Sequence, residues 1–499
     1  MITIGNIQPV AAKYVVTGLE EYDNNPCISA LPALMDRKQA AKLMFRVPNC
    51  SDELRGKAAV VRRHALSRIY RMVLPLSNNL VLFDKLSRIM RDAYLHRNIN
   101  DPAFWEWKNR IVQKVRESKG NLMLLCTAEG IRSNSHPTSV LLNGLPGSGK
   151  TFALKEILSE FYPTRVIQHV NKAGDSYVQI PYIFVQCPHL GSAKALLLSI
   201  IEQVALLTGT KAEVLVPEIT KKPSAETLIP EVVNLVLSYS IGTIFVDEIE
   251  TVRSAPSGGD QALMAFFVSL VNTAHTSLVL TANPNVNVRF MRDMKLLLRL
   301  SGAGAMKFDR LDFNSTDWQL FVKNLWKVQF TKKPTELSTE LSLTLHNKSQ
   351  GILKLATYLW DWTQTAAIEA GGDETITPRV IEDAFKENGF LVERIINGLS
   401  VGEHYARDTD ASWLDEFPNP ATAPDFGANN PDPADASRSG IPMDELTIPP
   451  VAAPQVMDKK RRTIPISEFA SNPAVKKGRS SYQALKEHGW TASTAEFAC

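Results

Sequence analysis

Gly144-Leu-Pro-Gly-Ser-Gly-Lys150-Thr151 follows a short apolar run, Val140-Leu141-Leu142, and precedes a helical pattern from Phe152 to Phe161. Strand, glycine-rich loop and helix in that order are the context a phosphate-binding loop requires. Gly144, Gly147, Ser148 and Gly149 let backbone N–H groups turn inward around phosphate oxygens, and the start of the following helix adds positive partial charge. Lys150 is placed to reach the β- and γ-phosphates of ATP, and Thr151 to ligate Mg²⁺.

Downstream, β-rich runs alternate with helical stretches: Tyr182-Ile183-Phe184-Val185, Thr243-Ile244-Phe245-Val246 and Leu278-Val279-Leu280. Such alternation predicts an α/β fold, a parallel sheet covered by helices. The Thr243 run ends in two acids: Asp247 would hold Mg²⁺ through water, and Glu248 would polarise the attacking water. Adjacent acids suit a hydrolytic ATPase rather than a small-molecule kinase. The next run leads into Thr281-Ala-Asn283-Pro284, where Asn283 stands either as a second water-orienting group or as a turn signal.

Arg289, Arg292 and Arg299 follow on an expected helix, which reads either as a solvated face or as the source of an arginine acting on a neighbouring subunit's nucleotide. Arg299 is the first choice because it ends that helix ahead of the glycine turn Gly302 to Gly304. Gly351-Ile-Leu-Lys354 opens a further helix, from which Lys354 would touch the γ-phosphate.

The rest of the chain divides around this core, assigned to 121–315. Between Thr316 and Phe390 only helical patterns remain, which predicts a small helical lid at 316–399. From Arg55 to Arg97 apolar residues (Val60, Val61, Leu66, Ile69, Leu86, Ile89, Met90) recur at helical spacing with Arg62, Arg63, Arg68, Arg71, Arg88 and Arg91 between them. That pattern predicts a helical N-terminal region, 1–120, with a basic surface. Nine prolines fall between Pro418 and Pro454, and ten Asp/Glu against two Arg lie between Glu403 and Glu445. A disordered acidic linker is expected over 400–458. The tail at 459–499 is basic, and its apolar set Tyr482, Leu485, Trp490 and Phe497 reads either as a docking peptide on that tether or as a disordered remnant.

At 499 residues the chain exceeds one hydrophobic core, and 44% hydrophobic with 21% charged residues is a soluble globular composition. No apolar run approaches a membrane span, and no signal peptide is expected. A net charge of +3 is too small to argue for nucleic acid by itself. The five cysteines lack metal-type spacing, and reduced thiols in a cytoplasm are the default.

Phosphate loop, acid pair, polar strand end, arginines and helical lid come in the order of an AAA+ module. Within that class the chain resembles the TnsC-type regulators of Tn-seven-type transposons. The resemblance rests on Val16-Thr-Gly18-Leu-Glu20-Glu-Tyr22-Asp-Asn-Asn25-Pro26 with Ala30-Leu31-Pro32, and on Arg62-Arg-His64-Ala-Leu-Ser-Arg68-Ile69. It continues in Ser257-Gly258-Gly259, Phe266-Phe267-Val268, Val271-Asn272, Gly302-Ala-Gly304-Ala and Ser349-Gln350-Gly351, and covers about Lys13 to Phe390. The chain departs from the family in Thr281-Ala-Asn283-Pro and in the acidic linker.

The resemblance implies a bacterial ATPase that assembles as a ring or filament on double-stranded target DNA. It would receive a target selector of the TnsD/TniQ type, alone or coupled to an RNA-guided complex, and recruit the transposase subunits TnsA and TnsB, hydrolysis then dissolving the assembly. Lys194, Lys211, Lys221, Lys222 and Arg253 are candidates to face DNA, or ordinary solvated charges. A replication-initiator or helicase-loader ATPase, and a remodelling or signalling ATPase that never touches DNA, are the competing classes. An initiator would carry a helix-turn-helix after the lid, where this chain has the acidic stretch.

Overall fold

The computed structural model describes residues 8–118, 139–170, 176–188, 192–221, 223–249, 266–267, 270–271, 274–283 and 302–400. Eight strands fall among them: β1 (Val10–Ala11), β2 (Val140–Gly144), β3 (Ile167–Val170), β4 (Ser176–Gln179), β5 (Tyr182–Gln186), β6 (Thr243–Asp247), β7 (Ser277–Ala282) and β8 (Ala305–Phe308). Five form one sheet in the order β5-β6-β7-β2-β8, every neighbouring pair parallel. The other three make a small sheet in the order β1-β3-β4. The four predicted apolar runs are β2, β5, β6 and β7. The edge strand β8 lies in Ala305–Phe308, too short and too mixed to announce itself as a run.

Both faces of the large sheet are covered, and period-two alternation decides which side chain goes where. Ile244 and Val246 of β6, with Leu278 and Leu280 of β7, join one core beneath the helices Ala193–Thr208 and Ala225–Ser238. Phe245 and Val279, the residues between them, join a second core with Leu154 and Ile157 of the helix Lys150–Phe161. Because the strands run parallel, their C-terminal ends line one edge, where an open α/β sheet places its ligands.

A third core belongs to the lid helices Thr316–Trp326, Thr339–Ser349, Leu353–Ala370, Pro378–Asn388 and Phe390–Ser400. Trp318, Trp326 and Trp360 are buried in it. The N-terminal region supplies residues to all three cores: Leu66, Ile69, Leu74 and Leu76 pack with the lid, Leu82, Phe83, Leu86, Ile89 and Met90 pack on one face of the sheet, and Phe104, Trp107 and Ile111 join the core on the other.

The basic helical surface expected over Arg55 to Arg97 needs correction in two respects. Helix Ala59–Ala65 and the 3-10 helix Leu66–Arg71 give way to extended backbone at Met72, and helix begins again at Ser77–Asp92. Pro75 accounts for the interruption, since it lacks an N–H and disfavours helix at the residue before it. Arg62 and Arg91 are buried at 1% exposure, as is Arg97 at 2%. Arg62 forms a bidentate pair with Glu374 of the lid, and also donates to Phe330 O at 2.9 Å and Lys57 O at 3.0 Å. Arg97 donates to Ala93 O at 2.7 Å and Ile241 O at 2.8 Å. Periodicity had given these arginines the polar face; internal hydrogen bonds take them inward.

The acidic linker and basic tail predicted beyond Ser400 lie outside the described residues. Among the described residues no helix is long and apolar enough to cross a membrane.

Candidate nucleotide site at the strand ends

The glycine-rich loop leaves β2 at Gly144, whose backbone runs so close to β8 that an added Cβ would sit 2.1 Å from Phe308 O. Gly147 (φ +80°) and Gly149 (φ +99°) adopt left-handed conformations that glycine enters without steric cost. The helix Lys150–Phe161 starts immediately after them, so its unbonded N–H groups face the loop. Ser148 is buried, and its Oγ has no hydrogen-bond partner among the described residues. An uncompensated buried hydroxyl inside a left-handed glycine turn fits an anionic oxygen ligand. Lys150 bridges the loop, its Nζ donating to Gly144 O and, at 3.0 Å, to Leu145 O. Asn283 Oδ1 lies 3.5 Å from the same nitrogen, at the limit of a hydrogen bond.

The neighbouring strand ends carry the acids. Thr151 Oγ1 donates to Asp247 Oδ1 at 2.8 Å, and Thr281 Oγ1 donates to the same oxygen. Thr281 Oγ1 in turn accepts the Glu248 N–H at 2.9 Å. Glu248 stands at φ +57°, a left-handed conformation uncommon for a residue with a side chain. Gln186, across from Asp247 in the β5/β6 register, donates from Nε2 to Glu248 Oε2 at 2.9 Å. Thr151 and Asp247 therefore present two hard oxygens in contact, a donor pair suited to Mg²⁺, which keeps several water or phosphate oxygens of its own. Among the described residues no group of three or more His, Cys, Asp or Glu could hold a metal, so protein ligation would stay this sparse.

The lid closes onto the loop. Lys354 N–H donates to Gly147 O at 3.1 Å, and a Cβ on Gly147 would meet Ile352 Cγ2 at 3.1 Å. The Lys354 ammonium stands 5.5 Å from the Tyr358 ring centre, on the wall of a cavity of about 630 Å³. One wall of that cavity is polar, with Ser148, Lys150, Thr151, Asp247, Glu248 and Asn283. Ile69, Met72 and Leu74 of the N-terminal region line the same cavity with Phe321 and Leu353 of the lid. A volume of this size lined by both polar and apolar side chains suits a nucleotide.

Lys354 and Asn283 are thus brought to the cavity with the loop and the acid pair. Arg289, Arg292 and Arg299 lie outside the described residues. Lys211 and Lys221 are exposed, and Lys221 pairs with Glu218 at 2.8 Å; Lys194 is half-buried, and Lys222 and Arg253 lie outside the described residues. Sequence reading missed Gln186. A signal was present, since Ile-Phe-Val precedes both Gln186 and Asp247, two strands ending in step with a polar residue. The apolar wall from Ile69 to Leu74 had no such signal, because it is contributed from outside the core.

Residues 132–290 match the family model described as an AAA domain. This stretch is an AAA-type ATPase domain. Three solved structures similar to the chain are a Walker-type ATPase of Pyrococcus abyssi, Cdc6p of Pyrobaculum aerophilum and a mutant of Thermotoga maritima RuvB. The first is 14% identical, with 58% of this chain and 75% of that chain covered and a TM-score of 0.35. For Cdc6p the figures are 13%, 55%, 66% and 0.35, and for RuvB 14%, 56%, 69% and 0.29. No curated protein matches the chain. The AAA domain spans the phosphate loop and every strand of the large sheet except β8.

Proposed function

We propose that this protein is an ATP-dependent DNA-binding regulator of transposition that assembles on target DNA and links a target selector to the transposase. In this reading Lys150, Ser148 and the loop N–H groups of Gly147 and Gly149 hold the phosphates. Thr151 and Asp247 hold Mg²⁺, which when bound offsets phosphate charge, and Glu248 takes a proton from the attacking water. Gln186 and Thr281 orient Glu248, Asn283 aligns the water with it, and Lys354 meets the γ-phosphate from the lid. Arg299 reaches the nucleotide of an adjacent copy.

The observation that carries the transposition reading is the N-terminal element. Residues that resemble the TnsC-type regulators take part in fastening this region to its surroundings: Asn25 Nδ2 donates to Tyr94 O at 2.7 Å, Tyr94 OH in turn donates to Ser240 O at 2.8 Å ahead of β6, and Arg62 pairs with Glu374 of the lid. The element is thus built into the ATPase and lines its nucleotide cavity through Ile69. Nucleotide in such a seat biases how the region meets DNA, a second copy, a TnsD/TniQ-type selector or the subunits TnsA and TnsB.

A gel shift on duplex DNA, with and without a slowly hydrolysed ATP analogue, tests the reading. Binding should require the analogue, show little sequence preference and weaken steeply between ~50 and ~200 mM salt as phosphate contacts release counterions. Equal binding without nucleotide, or none with it, would reject the proposal in favour of an ATPase that acts away from DNA.

A further inference from the structure

The most exposed apolar side chain near the N-terminus sits on one of its most tightly built loops. Asp23 accepts hydrogen bonds from Thr17 N–H and Thr17 Oγ1, both at 2.7 Å, and from Gly18 N–H at 3.0 Å. Gly18 turns at φ +84°, a conformation that disfavours other residues. Asn25 then caps the helix Pro26–Ser29 through Cys27 N–H and reaches Tyr94 O, which ties the loop to the sheet-side core. The shape is fixed, yet Val16 is 84% exposed and Leu19 is 42% exposed. Glu20 and Glu21 stand beside them, exposed and without an ion pair among the described residues. Rigid presentation of apolar side chains lowers the entropy cost of binding, as at a docking knob.

A surface of complementary character lies over the lid core. Helix Ala59–Ala65 runs straight into the 3-10 helix Leu66–Arg71, burying Arg62, Leu66 and Ile69. Its outer side carries Val60 and Val61, exposed by 53% and 45%, then His64, Arg68 and Arg71. Steps of three and four residues keep these on one stripe, apolar at the start and basic at the end. Arg63 pairs with Glu369, but Arg68 and Arg71 make no ion pair among the described residues. The same turn lines the nucleotide cavity on its other side, through Ile69 and Tyr70.

We propose that the apolar, acidic loop Val16 to Glu21 of one copy docks on the apolar, basic stripe Val60 to Arg71 of a second copy. Both halves are on this chain, one fastened to the sheet-side core and the other to the lid core. Their charges are opposite, and among the described residues Glu20, Glu21, Arg68 and Arg71 make no ion pair within their own copy. Repeated head to tail from copy to copy, this contact propagates into a ring or filament. The turn that carries the stripe lines the nucleotide cavity from its opposite side, through Ile69 and Tyr70, so a bound nucleotide steadies the surface that receives the next copy. This inference rests on the self-assembly included in the proposed function.

The experiment is a charge swap in the full chain, sized by mass photometry with the slowly hydrolysed analogue and duplex DNA. One chain carries Glu20→Lys and Glu21→Lys, the other Arg68→Glu and Arg71→Glu. Each alone sets like charges against each other and should need roughly tenfold or more protein to assemble. Mixed, each altered loop meets an altered stripe and each native loop a native stripe, so assembly should return to within about threefold of wild type. Rescue by mixing excludes misfolding as the cause of the single defects. Wild-type assembly by either altered chain alone overturns the contact, as does a mixture without rescue when both chains still bind the analogue. A wild-type chain that stays monomeric overturns the self-assembly reading itself.

Discussion

Two of the regions of this molecule that bury charge do so to opposite ends. At the strand ends Lys150, Asp247 and Glu248 form the wall of a cavity, held by backbone carbonyls and by Thr151, Thr281 and Gln186. At the seam between the N-terminal region and the lid, Arg62 and Glu374 are each 1% exposed at the side chain and close on one another. The Lys332 N–H adds a hydrogen bond to Glu374 at 2.9 Å. The first arrangement leaves charge facing a space that a charged ligand can enter; the second seals it. Changes at the strand ends should therefore alter nucleotide chemistry with little effect on stability, and changes at the seam should do the reverse.

Lys150→Ala is expected to have the largest effect, removing the loop's cation and lowering ATP affinity by roughly 100-fold or more, with turnover lost. Calorimetric titration checks it, and an unchanged affinity would detach the loop from ATP. Glu248→Gln should bind ATP normally while turnover drops by about 10²–10³-fold, leaving long-lived assemblies on DNA. Phosphate release at the wild-type rate would move the general base elsewhere.

At the seam, Arg62→Met leaves the buried Glu374 carboxylate with Lys332 alone and should cost about 3–5 kcal/mol of stability by denaturant unfolding, with ATP affinity per folded molecule little changed. The pair also gives a pH signature. Burial pushes the Glu374 carboxyl up, but hydrogen bonds from Arg62 and the Lys332 N–H outweigh it and hold the group below its usual value. A depressed folded-state pKa means the stabilisation is complete above the ordinary glutamate range, near ~4.3, and fades as pH falls through the lowered value. Arg62→Met should flatten that acid limb of the stability curve; an unaltered limb would locate the acid sensitivity elsewhere.

The smallest effect is expected from Gln186→Leu, which removes the hydrogen bond to Glu248 and leaves the carboxylate itself in place. Turnover should change by roughly threefold to tenfold, with ATP affinity and melting temperature held, because this hydrogen bond is exposed to solvent and one such bond contributes about 0.5–1.5 kcal/mol. No change in turnover would mean that Thr281 and the left-handed backbone position Glu248 unaided.

Legibility in the sequence followed locality. The phosphate loop could be read because its glycines, lysine and threonine are contiguous, and the parallel sheet because each of its central strands is a continuous apolar run flanked by helical pattern. Asp247 and Glu248 could be read because they end such a run. Gln186 ended one too, but its value depends on the register that sets it opposite Asp247 and on the turn that brings Glu248 to it. Arg62 was assigned to a basic surface because helical periodicity counts an arginine as polar; its partner is 312 positions away.

What the sequence determined by itself was therefore an α/β nucleotide-binding core, its phosphate loop and its acid pair, since these depend on residues near each other along the chain and on backbone rules that act over a few positions. Only the tertiary structure decided that β8 closes the sheet beside Gly144, that the N-terminal region lines the nucleotide cavity, and that Arg62 joins this region to the lid. Those outcomes depend on which distant surfaces meet. Burial and hydrogen bonding between distant segments set them, and neither leaves a periodic trace in either segment alone.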